Sequence, residues 1–142
     1  MNKTILTFRL LGRCFGIDIR RVKEINKHID YTPVPDARPE IVGLMNLRGQ
    51  IVTIVDLARI MHFPHDPGPV GRSGIILKPV RGDPDHIGFL IDRPGEVLEI
   101  QEKMSEPPPA NIEDIDVKYL IEVVKMPSEL ILVIDPDRLI PV

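Results

Sequence analysis

The chain predicts an all-β fold of small antiparallel barrels or a sandwich, and three observations carry that prediction. Its apolar residues fall in short runs, separated by many of the 15 prolines and 10 glycines of the 142-residue sequence. About five strand candidates lie on each side of one Pro- and Gly-rich stretch, residues 65–74. No segment sustains a helical period long enough for a crossover helix, which removes contiguous βαβ units. Two barrels of this size would bury little alone, so they are expected to share an interface.

The elements follow in order. Leu6, Phe8 and Leu10 alternate with Thr7 and Arg9 in a strand that Gly12 closes. Phe15, Ile17 and Ile19 alternate with Gly16, Asp18 and Arg20 on the return strand. Ile19, Val22 and Ile25 are then spaced by three, which fits one helical turn or a strand with a bulge. Thr32-Pro33-Val34-Pro35 is extended, because a residue before proline is pushed out of the helical region. Pro39 opens a single helical turn at 39–41.

Residues 41–57, IVGLMNLRGQIVTIVDL, are the hairpin around which the chain is organised. Asn46 suits a type I turn and Gly49 a positive φ, as in a three-residue loop with a bulge. Ile51, Val52, Ile54, Val55 and Leu57 are apolar on both parities. This strand is therefore expected to be covered on both faces and to supply the shared core. Arg48 at the tip, taken alone, is a solvated turn residue. A short helix at 57–61 ends before Pro64. Beyond the linker, strands are expected at 75–77, 87–91, 97–100, 120–124 and 130–134. A turn at 81–85, a proline loop at 106–110 and a last helical turn at 135–138 complete the pattern.

Composition removes several classes of function. The net charge is −3 with scattered Lys and Arg, which argues against nucleic acid or an anionic membrane surface as the main partner. Trp is absent and aromatics make up 4%, so no base-stacking platform exists. The single Cys14 excludes an internal disulfide and fits a reducing compartment. The longest aliphatic run, 130–134, is too short to span a bilayer, and no basic-then-apolar leader is present. A cytoplasmic protein without direct membrane insertion is expected.

No catalytic set emerges either. His62 and His65 lack a third ligand, and Pro64 breaks the helix that would align them. Asp83 and Asp85 begin like a calcium loop whose remaining ligands are missing. Gly71-Arg72-Ser73-Gly74 is too short for a phosphate loop. Cys14 has no partner His in reach by sequence, and Ser73, Ser105 and Ser128 lack a nucleophile elbow. No cofactor, no metal and no enzymatic activity are expected.

A family resemblance joins these observations. FGIDI at 15–19, V-x-E-I at 22–25, I-x-G-x-x-N-L-R-G-x-I-V at 41–52 and I-V-D-L at 54–57 resemble the CheW-type coupling proteins of bacterial chemotaxis. GFLID at 88–92 and LILVID at 130–135 extend the likeness across nearly the whole chain. The resemblance implies two small five-stranded SH3-like barrels sharing an apolar core, within one domain of subdomains 1–64 and 75–135 joined by 65–74. It also implies an adaptor that binds the regulatory domain of a chemotaxis histidine kinase and the cytoplasmic tip of chemoreceptors. Matched positions then take roles: Ile19, Val22 and Ile25 line the groove for the receptor tip, and Glu24 pairs with Arg48 beside it. Gly43 and Asn46 shape the hairpin. Pro94-Gly95 depart from the family pattern and put strand pairing after Asp92 in question. Two other readings stay open: a generic SH3-like module that binds some other peptide or helix, as in another kinase array of the pilus or gliding type, and a small enzyme with an unrecognised site.

Overall fold

The computed structural model describes residues 2–62, 72–79, 86–112 and 115–140. Among the described residues eleven strands form, beginning with β1 (Lys3–Leu10), β2 (Arg13–Asp18), β3 (Val22–Asn26), β4 (Ile41–Leu47) and β5 (Gln50–Asp56). The short helix α1 (Leu57–Ile60) precedes β6 (Ser73–Leu77), β7 (His86–Ile91) and β8 (Arg93–Ile100). Last come β9 (Ser105–Glu106), β10 (Leu120–Lys125) and β11 (Leu130–Ile134). One sheet has the order β8-β1-β2-β11-β10-β9, the other β3-β6-β7-β5-β4. These are the two SH3-like barrels, one with six strands because two-residue β9, after the 3₁₀ turn Glu102–Met104, adds to the sheet beside β10.

Strand alternation sorts the apolar residues into three cores. Ile5, Cys14, Ile100, Val124, Ile131 and Val133 fill the first barrel. Ile29, Met45, Val52, Ile54, Ile76 and Leu90 fill the second. Between them lies a shared cluster to which the first sheet gives Leu6, Phe8, Phe15 and Leu132 and the second Val55, Ile75, Leu77 and Phe89. The Phe8 and Phe15 rings stack there at 5.7 Å between centroids. β5 does feed the second barrel's core through Val52 and Ile54 and the shared cluster through Val55. Ile51, expected to be covered, is instead 55% exposed, because the hairpin tip projects past the core.

Several other expectations are corrected. The sheets do not divide at the linker into 1–64 and 75–135. β1 pairs with β8 and β2 with β11, while β5 pairs with β7, so each sheet draws strands from both halves. The chain passes between sheets at the 3₁₀ turn Ile19–Arg21 and at Asp92. Ser73 and Gly74, assigned to the linker, already belong to β6; the rest of that linker lies outside the described residues except Arg72, as does the turn at 81–85. Residues 39–41 form no helix; a tight turn closed by the Ile41 N–H to the Arg38 carbonyl runs straight into β4. Pro94 and Gly95 do not interrupt pairing. β8 stays on β1 through a bulge opposite Thr7, whose hydroxyl donates to the Glu96 carbonyl at 2.9 Å and accepts from its N–H at 2.8 Å.

Candidate functional site

The site begins where the chain first leaves the first sheet. Asp18 ends β2, and its carboxylate accepts from the Arg20 N–H at 2.9 Å, capping the 3₁₀ turn Ile19–Arg21. The Arg20 guanidinium binds the same carboxylate at 2.7 Å and holds its pKa below the usual carboxylate range. Ile19 and Val22 both pack against the shared cluster.

The spacing by three resolves into both open alternatives at once: one 3₁₀ turn followed by a bulged strand. Val22 pairs with Leu77, but Glu24 pairs with Ile76 and Ile25 with Ile75. Plain alternation would place Val22 and Ile25 on opposite faces. The extra residue in β3 returns them to the same face, opposite two members of the shared cluster. Val22 is half-buried and Ile25 is 37% exposed at this sheet edge.

The hairpin tip comes to the same edge. Leu47 pairs with Gln50, so Arg48 and Gly49 alone form the loop, with φ of 50° and 85°. Two positive φ values in a two-residue loop define a type I′ turn, not the three-residue loop with a bulge. Asn46 keeps a turn role, its side-chain oxygen accepting from the Gly49 N–H at 2.9 Å. From the tip the Arg48 guanidinium forms two hydrogen bonds to the Glu24 carboxylate, one of them at 3.4 Å. That bond raises the already high guanidinium pKa. Beside it the Lys23 ammonium donates to the Gln50 side chain at 3.2 Å.

Gly43 acts from beneath. Leu44 exchanges backbone bonds with Thr32 at 2.8 and 2.9 Å, laying the β3–β4 connection along β4. A Cβ at Gly43 would collide with the Thr32 carbonyl and come within 2.7 Å of the Tyr31 ring. The structure therefore brings Glu24 and Arg48 into direct contact, sets Val22 and Ile25 on one face of β3 with Ile19 in the turn before it, and places Gly43 and Asn46 in support of the hairpin. Lys23 and Gln50 were not expected; their contact emerges only once the register brings tip and edge together.

The surroundings offer little for catalysis. A cleft of about 530 Å³ opens beside Ile19, and four of its charges pair with one another, Lys3 with Glu122 and Arg20 with Asp18. Among the described residues no group of three or more His, Cys, Asp or Glu is placed to hold a metal ion. No helix there is long and apolar enough to cross a membrane.

Paired barrels over a common core, with an apolar edge and an ion-paired tip at one margin, are the architecture that the comparisons with known proteins match. Residues 4–142 match the family model described as the CheW-like domain, and the chain belongs to that family. It is 31% identical over 136 residues to the Chemotaxis protein CheW of Thermotoga maritima, covering 96% of this chain and 86% of that protein. Against the Chemotaxis protein CheW of Treponema pallidum, identity is 30% over 138 residues, 95% of this chain and 80% of the relative. The crystal structure of the scaffolding protein TtCheW from Thermoanaerobacter tengcongensis superposes with a TM-score of 0.82 at 29% identity, covering 95% of this chain and 90% of that one.

Proposed function

We propose that this chain is a non-catalytic signalling adaptor that couples chemoreceptors to a chemotaxis-type histidine kinase by binding both. The observation that carries the reading is the family match along residues 4–142. The receptor's cytoplasmic tip, as a helical hairpin, lays an apolar stripe on Ile19, Val22 and Ile25 at the junction of the barrels. Arg48, held by Glu24, presents a pre-oriented guanidinium at the margin, and pre-orientation lowers the entropy lost on binding. The kinase regulatory domain docks on a separate surface. The test is reconstitution of kinase, receptor fragment and this protein. Receptor control of autophosphorylation is expected only with all three present; equal control without this chain would end the adaptor reading.

A further inference from the structure

We propose that Asp92 is a positioning residue that fixes the orientation of the two barrels and so the shape of the groove at Ile19 and Val22. Among the described residues the chain passes between the sheets twice, at Ile19–Arg21 and at Asp92 alone. The pairing of β1 locates both passages. Asp18, before the first, lies opposite Ile5; Arg93, after the second, lies opposite Arg9. At a strand's rise, that separates the two passages by about 13 Å along β1. The interface is thus tethered at two separated points, and the second tether is a single residue with two soft backbone dihedrals.

Asp92 restrains that residue by binding both barrels. Toward the first, its Oδ2 accepts from the Leu11 N–H at 2.7 Å and its own N–H donates to the Arg9 carbonyl at 3.1 Å. Toward the second, its Oδ1 accepts from the Arg72 guanidinium at 2.8 Å. Arg72 leads into β6, and its carbonyl accepts from the N–H of fully buried Ile29 at 2.7 Å. The Arg72 side chain is only 11% exposed, so its charge has lost most of its water and depends on this carboxylate. Leu11 holds a left-handed backbone, φ 51°, that leucine seldom adopts, and the bond to Asp92 secures it. The hydrophobic driving force in the shared cluster is non-directional, and packing there limits the angle through shape alone. Charge-assisted hydrogen bonds are directional, and this carboxylate receives one from each barrel.

The effect on the groove rests on the adaptor reading; the orienting role does not. Nitroxide labels at Ile51→Cys and Val97→Cys, exposed on opposite barrels, in a Cys14→Ala background, report the distance between barrels by electron–electron double resonance. Asp92→Asn and Arg72→Met are expected to shift or broaden that distance distribution while circular dichroism stays unchanged. Affinity for a receptor-tip hairpin should fall about fivefold or more. An unchanged distribution in whichever variant folds overturns the proposal. So does unfolding of both variants, which would make the contact a matter of stability alone. Altered distances with unaltered receptor affinity would keep Asp92 as the orienting residue and remove the groove from the adaptor reading.

Discussion

Arg48 sits at φ 50° on the hairpin tip, a backbone conformation that asparagine or glycine adopts with less strain. Its ion pair with Glu24 stands mostly in water, where such pairs add little to stability. An unfavourable backbone and a screened ion pair together point to a requirement at the surface. Arg48→Asn is therefore expected to hold the melting temperature or raise it by about 1–3 °C, while weakening kinase or receptor binding. Calorimetry and titration of the same samples check both halves; a melted Arg48→Asn with intact affinity would make the tip structural. The swap Glu24→Arg with Arg48→Glu should recover part of the lost affinity if the pair acts through its mutual contact. That Arg48 and Glu24 pair was legible from the family motif. The turn type was not, because a type I′ loop usually advertises itself with Asn, Asp or Gly first, and here Arg takes that place. Cys14 makes a second residue-level prediction. It is buried, and burial raises its thiol pKa, so alkylation at pH 8 should be slow in the native protein and rapid in denaturant.

At the scale of elements, alternation revealed the strands but not the bulges, and the bulges decide which side chains meet. A single extra residue in β3 turns a spacing that resembles a helix into one apolar face. Nothing in the types of Val22, Lys23 or Glu24 signals it. Ile25 is the exposed member of that face, so Ile25→Asp should lower receptor affinity with little change in the thermal transition, and Val22→Asp should lower both. Gly43 lies against the Thr32 backbone and the Tyr31 ring, and Gly43→Ala is expected to cost about 1–3 kcal/mol through overpacking. Thermal unfolding should report that loss while the far-ultraviolet spectrum of the remaining folded protein stays unchanged. The passage at Ile19–Arg21 carries a pH prediction. Arg20 depresses the pKa of Asp18, so the stabilisation is complete above the ordinary carboxylate value of about 4 and is lost as pH falls through the lower folded value. Melting temperature should begin to lose this contribution only below about pH 4, and Arg20→Ala should reduce that acid dependence.

At the scale of the whole molecule, the Pro- and Gly-rich stretch at 65–74 was legible as a loop, yet it is no boundary between barrels. Composition can mark where a chain turns; it does not show which distant strands its flanks will join. β1 must find β8 and β2 must find β11 before the first sheet exists, and β5 must find β7 before the second does. Such pairings close long loops, and domains dominated by them fold on the order of milliseconds to seconds. The consequence is that neither half of the chain is a folding unit. A fragment of residues 1–64 holds two hairpins that lack the strands completing their sheets, and isolated hairpins are at best marginally stable in water. A fragment of residues 75–142 lacks the β1–β2 hairpin, which joins β8 to β11, and with it Leu6, Phe8 and Phe15 from the shared cluster. Each fragment alone is expected to show no cooperative thermal transition by circular dichroism. Mixed in equal amounts after joint refolding, the two should regain a single transition, because the shared cluster couples both barrels into one unit. A sharp, independent transition from fragment 1–64 would mean that the second barrel forms without β6 and β7, and the interleaved pairing would then be secondary to a core held within one half.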